Sequence, residues 1–249
     1  MIFMDKYFGV PFSIGAMEMN NDCDKAPAFF SQLFKKKVEI LATNKKDIDE
    51  IHDSIYLFAK KAFAGEVKAA EKRIFFGGTH DITAFIFKAF SEQNKKPKLL
   101  ILDAHADCED LLGSVSHEDF AKFLVRNKIV KKENIMIVGL RKVSKIEKIF
   151  LKRNMIKHFY YGEKTDVMLK AIKKFVSVGQ IYLSFDVDML NSEIMKATGY
   201  FPNGGFYQEE TKKMLNLCVP VAKAIDIVEF NPIKANEKEK KLIKELFLF

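Results

Sequence analysis

The sequence predicts an α/β protein with a central, mostly parallel sheet, and two features of the hydrophobic pattern support this prediction. Short apolar runs rich in β-branched and aromatic residues alternate with longer segments of helical periodicity, as in repeated βα units. The run from Leu99 to Leu102 is apolar at every position, as expected for a strand with both faces buried. We therefore expect about eight strands in a three-layer αβα arrangement.

The predicted elements alternate along the chain. The strands are short apolar runs rich in β-favouring residues, namely Tyr7 to Val10, Val38 to Leu41, Arg73 to Phe76, Lys98 to Leu102, Ile135 to Val138, Lys157 to Tyr161, Gln180 to Phe185 and Ala222 to Glu229. The helices carry apolar residues at helical spacing, namely Asp47 to Ala64, His80 to Gln93, Glu118 to Asn127, Val143 to Asn154, Asp166 to Val176, Gln208 to Cys218 and Glu237 to Phe247. Met17 to Pro27 and Asn191 to Gly205 are predicted to be long loops, which often carry the functional site.

Length, composition and charge predict a single-domain protein and argue against a membrane protein or a nucleic-acid-binding protein. The 249 residues suffice for a large core, and their evenly spread apolar residues predict one domain over residues 1–249. No signal-peptide pattern and no apolar run near the ~20 residues of a membrane span is present. The three cysteines are widely spaced, so we expect a reducing, cytoplasmic compartment and no membrane partner. The charge of +8 comes mainly from lysine runs without interleaved aromatics, which favours a solvated surface over nucleic-acid binding.

Ionisable side chains follow four of the predicted strands. In a parallel sheet, ligands gather beyond the carboxyl ends of the strands. Residues at positions i, i+2 and i+4 of an extended chain point the same way, so Asp103, His105 and Asp107 should converge if the strand geometry continues past Leu102. The four strand ends should therefore present one cluster, made of His80, Asp103, His105, Asp107, Asp186, Asp188 and Glu229.

This cluster has the composition of a two-metal site. Four aspartates and two histidines without matching lysines or arginines would repel one another, and bound cations are the natural compensation. The set exceeds what one catalytic metal takes from protein and suits two metals about 3.5 to 4 Å apart. Its oxygen-rich composition favours Mn²⁺, although zinc, cobalt or iron could also bind. Three other residues, His52, His158 and Cys108, are expected to be structural.

The segments around these residues carry a family resemblance. GGTHD (77–81), DAHAD (103–107) and SFDVD (184–188) resemble the GGDHS, DAHxD and SFDVD motifs of the ureohydrolase family, the arginases and agmatinases. GVPFS (9–13), VGLRK (138–142), ATGYFPNGG (197–205) and DIVEFNP (226–232) are similar to the family's opening strand and turn, the agmatinases' GIR, and the TGTPxxGG and DxxExNP motifs. The resemblance covers nearly the whole chain and is closest to archaeal-type agmatinases.

The resemblance implies an arginase-like fold over residues 1–249 and a cytoplasmic enzyme with two Mn²⁺ per subunit that releases urea from a guanidino compound. One ion would take His80, Asp103, Asp107 and Asp186, and the other His105, Asp103, Asp186 and Asp188. A metal-bridging hydroxide would attack the guanidinium carbon. Asp107 would pass the proton to the leaving nitrogen, His117 would shuttle protons, and Glu229 would hold the guanidinium. The family also suggests a homo-oligomer, a trimer or hexamer.

The loop from Cys108 to Ser116 bears on the substrate. Glu109 and Asp110 would repel a carboxylate and attract an amine, which favours agmatine as the substrate, cleaved to putrescine and urea. Arginine, guanidinobutyrate or a non-catalytic metal-binding paralogue are the alternatives. The chain departs from the family's motifs at five positions, Thr79, Asp81, Asn191, Tyr200 and Phe201, and such neighbours of a metal site can change metal affinity or substrate choice.

Overall fold

Among the described residues, eight parallel strands form one sheet in the order β2-β1-β3-β8-β7-β4-β5-β6. The structure is a computed structural model that describes residues 5–16, 20–42, 44–64 and 71–247. The strands are β1 (Lys6–Val10), β2 (Val38–Ile40), β3 (Arg73–Gly77), β4 (Pro97–Leu102), β5 (Ile135–Leu140), β6 (Lys157–Tyr160), β7 (Gln180–Asp186) and β8 (Ala222–Val228). The predicted parallel α/β fold is therefore confirmed, and each predicted strand lies within two residues of its observed bounds.

Helices cover both faces of the sheet. They are α1 (Ala26–Phe34), α2 (Ile48–Phe63), α3 (Ile82–Gln93), α4 (Phe120–Arg126), α5 (Lys145–Asn154), α6 (Thr165–Val176), α7 (Gln208–Cys218) and α8 (Glu237–Leu246). Residues of α1, α6, α7 and α8 belong to one buried core cluster, and residues of α2 to α5 belong to the other. No helix among the described residues is long and apolar enough to cross a bilayer.

The apolar run from Leu99 to Leu102 lies between the two core clusters. Leu100 and Leu102 of β4 join the core under α6 and α7, whereas Leu99 and Ile101 join the core under α3 and α4. All four are at most 1% exposed. Side chains of a strand alternate between its faces, so every position must be apolar when both faces are covered.

Among the described residues, α1 is the α-helix that the sequence prediction missed. Residues 17–19 of the predicted loop Met17 to Pro27 lie outside the described residues, and its remainder forms a 3-10 helix, Asn21–Lys25, and the start of α1. Pro27 stands in the first turn of α1, where a missing N–H costs nothing. Phe30 and Phe34 pack on Phe76 of β3 with ring centroids 5.0 and 5.7 Å apart. Tertiary packing of aromatic rings therefore defines this helix.

The strand order determines where the chemistry lies. Strands β3, β8, β7 and β4 are consecutive neighbours at the centre of the sheet, and all pair in parallel. They are the strands whose ends were predicted to carry the ionisable residues. Their carboxyl ends meet at one edge, so side chains far apart in sequence become neighbours there.

Candidate metal centre

His80 is the centre of the first half of the cluster. Its Nδ1 lies 3.0 Å from Asp103 Oδ2, 3.1 Å from Asp107 Oδ2 and 3.3 Å from Asp186 Oδ2. All four residues are buried. The ends of β4 and β7 thus direct three carboxylate oxygens toward one imidazole nitrogen of His80, which follows β3.

His105 forms the second half. Its Nδ1 lies 2.8 Å from Asp188 Oδ2 and 3.6 Å from Asp103 Oδ1. Two groups of potential metal-ligating atoms result, His80 with Asp103 and Asp186, and Asp103 with His105 and Asp188. Asp103 belongs to both groups, so the two halves share a carboxylate. The structure brings together all six residues that the sequence singled out as metal ligands; their ligation of an ion remains a prediction.

The side chains converge through turns, so their convergence does not depend on strand geometry continuing past Leu102. Strand β4 ends at Leu102, and Asp107 has a left-handed backbone with φ of 49°. The Asp107 carbonyl accepts hydrogen bonds from Ala121 N at 3.0 Å and Lys122 N at 3.3 Å, where α4 begins. Asp188 likewise lies in a 3-10 helix, Val187–Met189, after β7. The reason is local, since an aspartate oxygen that accepts a nearby backbone N–H competes with extended structure.

In three of the carboxylates, a backbone hydrogen bond occupies one oxygen and leaves the other oxygen available. Asp103 Oδ1 accepts from His105 N at 2.6 Å, Asp186 Oδ1 from Asp188 N at 2.8 Å, and Asp188 Oδ1 from Ala104 N at 3.0 Å. In each case Oδ2 is the oxygen that lies nearer to a histidine nitrogen. One oxygen therefore fixes the side chain while the other is available as a ligand.

A buried hydrogen-bond chain determines the tautomer of His80. Ser184 Oγ donates to Asp226 Oδ1 at 2.6 Å, so it accepts from His80 Nε2 at 2.8 Å. Asp226 Oδ2 accepts from Tyr182 at 2.6 Å and from Thr83 at 2.8 Å. A neutral imidazole that donates through Nε2 presents a lone pair at Nδ1. Among the described residues, the buried atoms His80 Nδ1 and Asp103 Oδ2 have no partner in hydrogen-bonding geometry, and a cation between them would satisfy both. The residues present therefore fit a metal site.

The electrostatics of the cluster also require positive charge. Burial raises the pKa of Asp107 and Asp186 well above the usual range, and neighbouring carboxylates raise it further. Burial alone would lower the pKa of His105, but Asp188 and Asp103 raise it to about 12. In the absence of a metal, the cluster thus compensates its charge by holding protons.

Arg141 binds the main chain of the turn that carries Asp188. Its guanidinium donates to the carbonyl of Met189 at 3.0 Å and to the carbonyl of Asp188. Burial lowers its pKa, while Asp188, Asp103 and Asp186 raise it. The VGLRK segment was singled out in the sequence for its resemblance alone, and contact with the Asp188 turn gives it a physical role.

A cavity of about 340 Å³ opens onto the cluster. Glu229, predicted to hold a guanidinium, and His117, predicted to shuttle protons, both line it, as does Glu109. Burial raises the pKa of Glu229, whereas His117 and a hydrogen bond from Asn20 lower it. His117 Nδ1 pairs with the carbonyl of Gly15.

Asp110, the other predicted substrate-binding residue, does not line this cavity. Its carboxylate pairs with the buried Lys122 at 2.7 Å and with Arg126 at 3.8 Å. Two cations of α4 therefore hold it away from the site. The sequence could not distinguish it from Glu109, because adjacent loop residues point in different directions.

The departures from the family motifs find local partners. Asp81 Oδ2 lies 2.8 Å from Nε2 of the buried His52, which stacks on Phe85. Thr79 N donates to the carbonyl of Phe12 at 3.0 Å, and Asn191 Nδ2 to the carbonyl of Gly205 at 3.2 Å. Tyr200 lines the cavity, and its hydroxyl accepts from Lys142 at 3.1 Å.

The remaining sequence expectations concern residues away from the cavity. Phe201 is 37% exposed. His158 pairs with the carbonyl of Ile156 at 2.8 Å, and Cys108 is buried against the carbonyl of Ala106. Neither His158 nor Cys108 is among the residues that line the cavity.

Comparisons with known proteins agree on one family. The sequence model of the arginase family matches residues 9–247. An arginase of Entamoeba histolytica is 26% identical over 222 residues, which span 80% of this chain and 74% of that protein. An agmatinase of Proteus mirabilis is 24% identical over 193 residues, 77% of this chain and 61% of that protein. The crystal structure of the Entamoeba histolytica arginase in complex with L-ornithine has a TM-score of 0.86 at 20% identity, and the match covers 99% of this chain and 98% of that one.

The parallel three-layer fold and the family match define a hydrolase of the ureohydrolase class. This chain belongs to the arginase family. Enzymes of this family generally depend on two metal ions, and the clustered histidines and aspartates described above are suited to that requirement.

Proposed function

We propose that the protein is a dinuclear-metal hydrolase that cleaves a guanidino group to urea and an amine. The observation that carries the proposal is a single cavity in which the histidine–aspartate cluster faces Glu229. The cluster supplies ligands of the type that dinuclear hydrolases use. Glu229 is a carboxylate of the type that binds a guanidinium through paired charge-assisted hydrogen bonds.

His80, Asp103, Asp107 and Asp186 would hold one metal ion, and His105, Asp103, Asp186 and Asp188 would hold the other. Mn²⁺ is our first choice because hard oxygen ligands predominate. When bound, such a pair supplies Lewis acidity that makes a water molecule nucleophilic near neutral pH. The positive charge of two divalent ions balances the four aspartates. The remaining negative charge of Glu229 therefore gives the cavity a preference for a cationic substrate.

Three residues of the chain carry the proton and substrate steps. Glu229 orients the guanidinium so that its carbon faces the cluster. Asp107 accepts the proton of the nucleophile and gives it to the leaving nitrogen. His117, which also lines the cavity, passes to solvent the proton that the next water molecule loses when the nucleophile is regenerated.

Agmatine is the substrate that we propose first. Glu109 and Glu118 both line the cavity, and two carboxylates would favour an ammonium group at the far end of the substrate. Lys142 lines the same cavity and is a specific reason to keep a second candidate, a guanidino acid such as arginine or guanidinobutyrate, whose carboxylate it could bind.

A substrate panel tests the activity and the choice of substrate. Protein loaded with Mn²⁺ should release urea from agmatine with a higher kcat/KM than from arginine or guanidinobutyrate. Glu109→Gln should lower kcat/KM for agmatine several-fold and leave that for guanidinobutyrate unchanged or higher. Release of no urea from any guanidino compound by protein that retains two metals would refute the enzymatic function and favour a metal-binding paralogue.

Two variants test the proton steps. Asp107→Asn should abolish turnover, because an amide cannot accept the proton, whereas His117→Ala should retain measurable activity because water can replace a shuttle. Asp53→Asn, the same change at an exposed position of α2, is the matched control. Unchanged turnover by Asp107→Asn, measured as urea release, would contradict the role of Asp107.

A further inference from the structure

Hydrogen bonds hold both the side-chain carboxylate and the main-chain carbonyl of Glu229. Its backbone has φ of 62°, a conformation that is costly for a residue with a side chain. Glu229 Oε1 accepts from the backbone N–H of His80 at 2.8 Å. Asn20 Nδ2 donates both to Glu229 Oε2 at 2.8 Å and to the Glu229 carbonyl at 2.9 Å. One amide group thus ties the carboxylate to its own main chain.

The orientation of that amide is fixed from the other side. Asn231 Oδ1 accepts from the backbone N–H groups of Ile233 at 3.1 Å and Lys234 at 3.2 Å. Its Nδ2 must therefore face away from them, and it donates to Asn20 Oδ1 at 2.9 Å. Because Asn20 Oδ1 is the acceptor there, Asn20 Nδ2 must face Glu229. Backbone amides that cannot reverse their polarity thus determine the direction of the whole chain of hydrogen bonds.

The number of acceptor sites leaves Glu229 ready for a ligand. A carboxylate offers about four lone-pair sites. His80 N and Asn20 Nδ2 occupy one on each oxygen. One site on each oxygen remains, which is the pair that two parallel N–H groups of a guanidinium need. Asn20 and Glu229 both line the cavity, although both are at least nine-tenths buried.

We propose that Asn20 is a positioning residue that sets the Glu229 carboxylate in its guanidinium-binding orientation before substrate arrives. This inference rests on the proposed function, because it assigns Asn20 to the guanidinium site of that function. Preorganisation of this kind improves affinity, since less side-chain freedom is lost on binding. Asn20 also accepts a backbone hydrogen bond from Cys23 N at 3.1 Å, so a purely structural role in its own loop is the alternative that the experiment must separate.

The first test compares two identical changes at adjacent positions. Asn20→Asp replaces the donor with an acceptor that faces Glu229, whereas Asn21→Asp makes the same change at an exposed neighbour. With Mn²⁺-loaded protein, the affinity for guanidinium ion measured by calorimetry should fall about tenfold or more in Asn20→Asp and stay unchanged in Asn21→Asp. Metal content should be the same in both, and with a guanidino substrate KM should rise more than kcat falls. Wild-type guanidinium affinity in Asn20→Asp would overturn the proposal.

A second test restores the hydrogen bond with reversed polarity. Glu229→Gln gives residue 229 an amide that can donate to the carboxylate introduced at position 20, so the Asn20→Asp, Glu229→Gln double variant should melt at a higher temperature than Asn20→Asp alone. A crystal structure of Asn20→Asp should show the Glu229 carboxylate turned away from residue 20. Additive melting temperatures with an unmoved Glu229 would refute the positioning role. Neither measurement needs turnover, so a wild-type protein that releases no urea would refute the proposed function without deciding this inference.

Discussion

At the scale of single residues, the geometry of the cluster depends on groups that are not themselves candidate ligands. His80 presents Nδ1 to the carboxylates because Ser184 accepts at Nε2, and Ser184 accepts there because its own proton goes to Asp226. Ser184 and Asp226 are both completely buried. Such outer partners orient a ligand and raise its basicity.

The prediction at this scale concerns Ser184. Ser184→Ala removes the acceptor at His80 Nε2, so Mn²⁺ affinity should fall by about 10-fold or more. A competition titration with a metal chelator would measure this affinity. Ser177→Ala, at an exposed serine whose hydroxyl bonds Lys174 O, is the control. Equal affinity in a folded Ser184→Ala protein would show that the hydrogen-bond chain does not tune His80.

At the scale of elements, close backbone contact explains the glycine at position 78, two residues before His80. A Cβ on Gly78 would lie 1.6 Å from the carbonyl oxygen of Phe12. Gly78 N also donates to the carbonyl of Val10, and its own carbonyl accepts from Glu229 N at 2.8 Å. Gly78 thus joins the ends of β1, β3 and β8, and His80 and Glu229 are positioned by this contact.

Gly78→Ala should therefore lower both the stability of the fold and the metal content of the site. The backbone segments must separate, so unfolding free energy should fall by about 3 kcal/mol, and Mn²⁺ content should fall with it. Gly113→Ala is the control, because a Cβ on Gly113, in the loop before His117, meets nothing within 4 Å. Thermal melts and metal analysis of the two variants check the prediction; equal melting temperatures would contradict it.

At the scale of the whole molecule, the negative charge that lines the cavity affects a bound ligand more than the positive net charge of the chain does. The chain has a formal charge of +8, yet the cavity is lined by carboxylates at and just beyond the ends of neighbouring central strands. Exposed lysines are screened within about 10 Å at ordinary ionic strength, whereas buried groups are screened much less. A basic protein can therefore carry a site for a cation.

Metal binding should release protons. In the metal-free protein the pKa of His105 is raised to about 12, so this group holds a proton near neutral pH, and burial and neighbouring carboxylates also raise the pKa of Asp107 and Asp186. Metal ions must displace the protons, and Mn²⁺ affinity should therefore weaken as pH falls. Calorimetric titrations in buffers of different ionisation enthalpy measure the release. An identical apparent enthalpy in all buffers would contradict this prediction.

Much of the fold followed from local pattern. Within the part of the chain that the structure describes, the alternation of buried strands and amphipathic helices predicted the eight strands and seven of the eight α-helices. The exception, α1, depends on contacts of Phe30 and Phe34 with β3, and such contacts join residues far apart in sequence. The six candidate ligands were predictable because parallel strands bring their carboxyl ends to one edge.

The sequence by itself determined which residue types stand after which strands, because apolar periodicity and strand length are local properties. Only the tertiary structure decided which of those residues share a cavity. It separated Asp110 from Glu109 through the Lys122 ion pair, and it brought Asn20 to Glu229 across 209 positions. Hydrogen-bond polarity and the direction of a loop side chain depend on distant partners, and for that reason no local pattern contains them.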